Sequence, residues 1–358
     1  MSQSNSFFDV GFVAGLQRSS NDRKHEILKI FWPGRATHFS SLDQASYASL
    51  FQYVGKELGQ IRHHQRHFAA HDFEGSGHIV RVLQKNLKTP KTQVLDSLAT
   101  HFLNAEPAAL QRSLELSVRL WLTVNINSAT VAVGPTFADE APLDWEPDVS
   151  LQELVESQFS KSIHHTAKGR RAQIDPTLTA AYLVNSCGMT IRWTDSISDH
   201  LRFDTTHHTL SVYRHKICLA NHLDTTDGCP IPKGVLGEIL DTLNLLFPFG
   251  DVATKQLLIK EHQQPLYRLG SCGRPRKLEI NQYEYFREEL EYLIESFNQP
   301  PRTWKQLAMD RRNKLEWAAF WVTVMVAVLT FVSIPCNLIQ ATYSVKAYRA
   351  TVAQMKSM

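Results

Sequence analysis

The chain has 358 residues, with 38 Lys and Arg against 35 Asp and Glu, a formal net charge of +3, and 43% hydrophobic residues. This is the composition of an ordinary globular protein, not of a disordered or low-complexity chain, and so small a charge gives no electrostatic case for a nucleic-acid partner. Five cysteines, Cys187, Cys218, Cys229, Cys272 and Cys336, are odd in number and lack C-x-x-C spacing; they signal neither a disulfide framework nor a zinc ribbon, and fit reduced thiols.

Along the chain, the opening stretch MSQSNSFFDVGFVAGLQRSS has no early basic region and its apolar run is broken by Asp9, so no signal peptide is expected. Between Ser41 and Ile61 apolar residues recur at three and four, with Ser41 and Gln44 spaced as a capping box, which predicts a helix with one buried face. Further helices are predicted over Val94 to Leu103 and from Pro107 to Leu122, the latter with proline suited to a first helical position. The segment ADEAPLDWEPDVS, 138–150, reads as an acidic linker between an N-terminal helical region, 1–137, and a second mainly helical region, 151–300.

Ser150 and Glu153 form a second capping box ahead of Leu151, Leu154, Val155 and Phe159. The polar run KSIHHTAKGRRAQ then reads as a solvated loop. Asp175-Pro176 is placed to start a helix and Cys187-Gly188 to end it. Two β-prone pieces flank a short capped helix at Thr194 to Leu201, giving a small mixed patch with Trp193 and Phe203 expected in its core. Amphipathic helices over Lys233 to Phe247 and from Tyr283 to Phe297 follow. The expected fold is mainly α, an irregular helical bundle with this small α/β patch and one C-terminal transmembrane helix.

That last element carries the clearest signal. From Trp317 to Val345 no residue is charged, and the apolar run Trp317 to Ile339 spans about 35 Å as a helix, enough to cross a hydrocarbon core of about 30 Å. Its eleven Val, Leu, Ile and Phe side chains favour insertion by about 5 kcal/mol. Alternation of Val322, Val324, Val326 and Val328 suggests a strand, but Met325 and Ala327 between them leave no polar face. Trp317 and Trp321 at one end, with Tyr343 and Tyr348 at the other, sit where interfacial aromatic belts lie.

Arg311, Arg312 and Lys314, together with Arg302 and Lys305, outweigh Lys346, Arg349 and Lys356 on the far side, so the N-terminal region is expected in the cytosol. A juxtamembrane segment and span over 301–345, with a short tail over 346–358, give a single-pass, tail-anchored topology, with the endoplasmic reticulum the favoured membrane.

The stretches CGMTIRWTDSISDHLRFD, DTLNLLFPFGD and TWKQLAMDRRNKLEWAAFWV resemble a large set of filamentous-fungal proteins whose helical C-terminal half ends in one or two membrane helices. The resemblance covers roughly 175–340. It implies a fungal membrane-associated protein, in some cases encoded beside secondary-metabolism genes, and brings no reaction and no functional residues.

The sharpest chemical pattern is IRHHQRHFAAHDFEGSGH. A helix continuing past Ile61 would align His63, His67 and His71 at i, i+4 and i+8, a metal-binding spacing that Asp72 and His78 are placed to complete. Arg62 and Arg66 among them repel a cation, and the basic-surface reading is preferred. His164-His165 and His207-His208 do not follow the box order of membrane di-iron enzymes. A winged-helix reading of Asp175 to Tyr213 fails on the acidic TDSISDHL, and EGSGH fits no phosphate loop. No cofactor and no catalytic residue is assigned. The expected function is that of an interaction or accessory module on a lipid bilayer with a protein partner; a membrane-tethered enzyme using the three histidines for metal is the alternative.

Overall fold

The computed structural model describes residues 21–32, 45–127, 142–161, 173–225, 228–299 and 314–356. The chain divides into two units: Met1–Val184 with Met189–Asn298, and Gln299–Met358 with Asn185–Gly188. Among the described residues the structure is mainly helical with one three-stranded sheet.

Among the described residues the larger unit contains, in order, helices α1 (Asn21–Phe31), α2 (Ala48–Ile61), α3 (Phe73–Lys85), α4 (Lys91–Ala99) and α5 (Pro107–Leu122). The periodic stretch ending at Ile61 and the proline-led stretch fold as read from their spacing, burying Leu50, Val54 and Leu58 from α2 and Leu114, Val118 and Trp121 from α5. Ser41 and Gln44 lie outside the described residues. Helix α4 ends at Ala99, short of the expected Leu103, which is 82% exposed. Helix α3 runs straight through the EGSGH stretch: Asp72 caps it by accepting from the Gly75 amide at 2.7 Å, and Gly77 lets α1 come close, since a Cβ there would meet Ile30 at 3.3 Å.

The described part of the acidic segment, 142–150, packs with Leu143 and Trp145 buried, and its Pro147 and Val149 carbonyls accept from the Thr92 and Lys91 amides. Beneath it Lys91 Nζ donates to Glu115 Oε1 and to the Trp145 carbonyl, both at 2.9 Å, with the two charged side chains only 5% and 2% exposed. The capping box forms as expected, with Ser150 and Glu153 exchanging hydrogen bonds at the start of α6 (Leu151–Glu156).

After α7 (Ala180–Ser186), which starts five residues beyond Asp175 because that carboxylate closes a turn on the Thr177 amide, Gly188 takes φ 69 as its position predicts. The mixed patch is a sheet in the order β1-β3-β2, with β1 (Thr190–Thr194) parallel to β3 (Thr209–Tyr213) and β2 (Phe203–Asp204) antiparallel to it. Where a capped helix was expected there is only a 3-10 turn over Ile197–Asp199. Trp193 and Phe203 are not the patch's core: both are only half-buried, packing on Phe247 and Tyr292, while Leu210, Val212 and Tyr213 of the central strand fill the interior.

Helix α8 (Lys216–Asp224) leads to α9 (Lys233–Leu246), followed by α10 (Val252–Lys260), α11 (Gln264–Arg268) and α12 (Arg287–Asn298). The sequence pattern suggests one buried face on α9, yet every residue from Val235 to Leu246 is buried. Each polar side chain on its other face is claimed. Glu238 accepts from the amides of Glu284, Tyr285 and Phe286 in the turn that leads into α12, and Asp241 pairs with Arg274 and Lys277. Thr242 bonds His200, and Asn244 joins Lys216 to the Ser271 carbonyl. Arg276 donates to the carbonyls of Pro176, Leu178 and Leu245, fastening the same loop. The smaller unit contributes α13 (Lys314–Lys356).

Candidate membrane helix and polar sites

At 43 residues, α13 is about 65 Å long, twice the thickness of a hydrocarbon core. Among the described residues its apolar stretch is exposed: Val328 is 57%, Phe331 81% and Val332 59% exposed, and the apolar surface runs all the way round. A soluble core helix hides at least one stripe, whereas this surface matches a lipid surrounding. The hydroxyls inside the stretch are satisfied within the helix: Thr323 donates to the Ala319 carbonyl and Thr330 to that of Val326, both at 2.8 Å. Pro335 lies inside the helix without ending it. Trp317 and Trp321 meet edge to face at 6.4 Å at one end; exposed Tyr343, Lys346 and Tyr348 mark the other. Arg311 and Arg312 lie outside the described residues, and the helix begins at Lys314.

The surface histidines stand differently from the expected i, i+4, i+8 row. The α-helix ends at Ile61; Arg62–His67 is a 3-10 turn kinked at His64, and the chain is extended at Phe68. The reason lies in the backbone donors beyond it. The Ala69 and Ala70 amides bond the Ser113 hydroxyl on α5 at 2.7 and 3.1 Å, and the His67 carbonyl accepts from Arg112, so none continues the helix. His63, His67 and His71 are all exposed, Asp72 is engaged as a cap, and His78 stacks on His101 at 3.8 Å. Among the described residues no group of three or more His, Cys, Asp or Glu is placed to hold a metal ion.

Three other histidines, which no local spacing marks, are buried and each ties distant elements together. His222 accepts at Nδ1 from the Trp32 indole at 3.3 Å and donates from Nε2 to the Trp121 carbonyl at 3.2 Å. His200 accepts from the Tyr213 amide at Nδ1, so its Nε2 donates to Thr242 Oγ1, which in turn donates to the Ile239 carbonyl. These partners fix the neutral tautomer of each ring. Burial pushes the imidazole of His200 down to about 3 and that of His222 down to about 4.

The third, His215, lies in the order Ser49, His215, Asp195. Its Nε2 is 2.8 Å from Asp195 Oδ1 and its Nδ1 3.4 Å from Ser49 Oγ. Burial lowers its pKa and the Asp195 carboxylate only partly restores it. Burial acts to raise Asp195, but the bonds and charges of His215 and Arg214 outweigh it and hold the carboxyl below its usual range. Connectivity of this kind activates serine nucleophiles where a substrate can reach the hydroxyl. Here Ser49 is 7% and His215 0% exposed, and the rings of Tyr53 and Tyr213 each lie 5.5 Å from His215. The arrangement joins α2 to the sheet and is structural.

These rings set a pH dependence. Their folded-state pKa values lie below the unfolded value of about 6.5, so the unfolded chain binds more protons and stability present above that pH is lost as it falls. Each contributes a slope of up to about 1.4 kcal/mol per pH unit below about 6.5. Glu57 and Glu238, raised mainly by burial, act in the opposite sense. The melting temperature of the chain in detergent is expected to drop between about pH 7 and about pH 5.5; an unchanged value would contradict neutral burial of these rings.

A cleft of about 630 Å³ on the larger unit is lined by Phe159, Lys161, Asp199, Arg202, Phe203 and Tyr285, among others. Burial raises the Asp199 carboxyl, and Arg202 stands 3.6 Å away. Burial also raises the thiols of Cys218 and Cys229, the latter to about 12, so neither has the environment of a nucleophile. Compared with family models, curated proteins and solved structures, the chain matches none of them.

Proposed function

We propose that this is a single-pass membrane protein, held in a bilayer by α13, whose larger unit stands on the cytosolic side as an interaction or accessory module. The observation that carries the reading is the uncharged stretch of α13 from Trp317 to Val345, whose apolar surface the described residues leave exposed. The charge balance across the span supports the orientation, with five Lys and Arg between Arg302 and Lys314 against Lys346, Arg349 and Lys356 beyond. The accessory role rests on a larger unit in which buried His200, His222 and Asp241 are engaged in holding its elements together.

The test is alkaline carbonate extraction of membranes from cells expressing the full chain, followed by protease treatment of sealed vesicles. The expected result is a chain that stays in the pellet and an N-terminal unit that is digested without detergent. Release into the supernatant sinks the membrane reading, and protection of the N-terminal unit reverses the orientation.

A further inference from the structure

Among the described residues outside α13, large apolar side chains left in the open are few, and three of them gather in one place. Phe249 is 65%, Val252 66% and Ile259 49% exposed. Val252 and Ile259, seven residues apart, share one face of α10, and Phe249 stands at the tip of the turn that enters that helix. This tip is held, not loose. Gly250 takes φ 93, a conformation that only glycine adopts without strain, and its amide donates to the Tyr267 hydroxyl at 3.3 Å. Asp251 caps α10 by accepting from the Thr254 amide, and the Phe249 and Tyr267 rings pack at 5.1 Å.

Lys255 and Lys260 on α10 and Arg268, next to Tyr267 in the chain, are all exposed, with Lys255 Nζ 5.9 Å from the centre of the Tyr267 ring. The acidic groups of the same segment are Asp251, engaged in the cap, and Glu261. A rigidly presented phenylalanine among exposed aliphatics, with cations on flexible stems in the same segment, has the chemistry of the headgroup boundary: the apolar tip enters the acyl edge and the cations meet phosphates.

We infer that Phe249, Val252 and Ile259, with Lys255, Lys260 and Arg268, form a docking surface for an anionic lipid leaflet. The inference rests on the membrane reading in one respect: residues 299–313 join the larger unit to α13, so an anchored chain meets the leaflet at high effective concentration and a small patch suffices. The match of charge is to the cytosolic leaflet, whose lipids are anionic.

The test places the photoreactive p-benzoyl-phenylalanine at position 249 of the full-length chain, reconstituted in lipid nanodiscs of phosphatidylcholine with or without phosphatidylserine. Lipid adducts are expected with phosphatidylserine, and about tenfold fewer when Lys255→Glu, Lys260→Glu and Arg268→Glu are combined. The same label at Leu103, exposed on another part of the unit, is expected to capture no lipid. Equal lipid capture at the two positions, indifference to charge reversal, or capture of polypeptide in place of lipid overturns the inference. A chain that fails to co-purify with the discs sinks the anchor and leaves the patch to be judged, by the same label, on added phosphatidylserine vesicles.

Discussion

Replacing Val328 and Phe331 together by aspartate is expected to release the protein from carbonate-washed membranes. Both side chains lie near the middle of the uncharged stretch and are more than half exposed, so the substitutions disturb no packing within the chain. At the centre of a spanning helix each aspartate costs about 3 kcal/mol and each lost apolar residue removes about 0.5 kcal/mol, a total of about 7 kcal/mol. This exceeds the insertion gain of about 5 kcal/mol. The paired change Val328→Leu and Phe331→Leu, which keeps the surface apolar, should leave the protein in the pellet. An aspartate pair that remains resistant to carbonate would show that α13 is held by something other than oil.

The second large effect concerns Lys91 and Glu115. Both are buried, and Glu115 Oε2 already lacks a hydrogen-bond partner, so the carboxylate depends on Lys91 and on Gln111, which donates to Oε1 at 2.9 Å. Changing Lys91 to methionine leaves that charge uncompensated in the interior, at a cost of about 3–5 kcal/mol. For a unit of this size the melting temperature should fall by about 10 °C. Combining Lys91→Met with Glu115→Leu removes both charges and should recover most of the loss, because a packed apolar pair needs no desolvation to be repaid. If the single and double variants melt alike, the pair's burial is not what the site depends on.

What could be read from the residues alone was whatever repeats within one or two turns. The face of α5, the Ser150–Glu153 box and the apolar length of α13 are local patterns and appear as expected. Helix α3 was obscured by Gly75 and Gly77, which lower helix propensity, although Gly77 is what allows α1 to approach. The histidines illustrate the limit most directly. A dense surface run drew attention to His63, His67 and His71, whereas the rings that organise the interior are His200, His215 and His222, whose partners lie up to 190 residues away. Spacing along a chain carries no record of such contacts. Similarly, α9 looked one-sided because Glu238, Asp241, Thr242 and Asn244 are polar, and only the fold supplies the groups that take them inside.

The bond between Trp32 and His222 also sets a schedule for biosynthesis. At 5–20 residues per second a ribosome needs about 10 to 40 s to deliver the second partner after the first has emerged. Throughout that interval the Trp32 indole lacks its acceptor, while Ile27 and Phe31 have only the earlier-made Val54, Val80 and Leu120 to pack against, and the nascent α1 is a natural client for chaperones until His222 arrives.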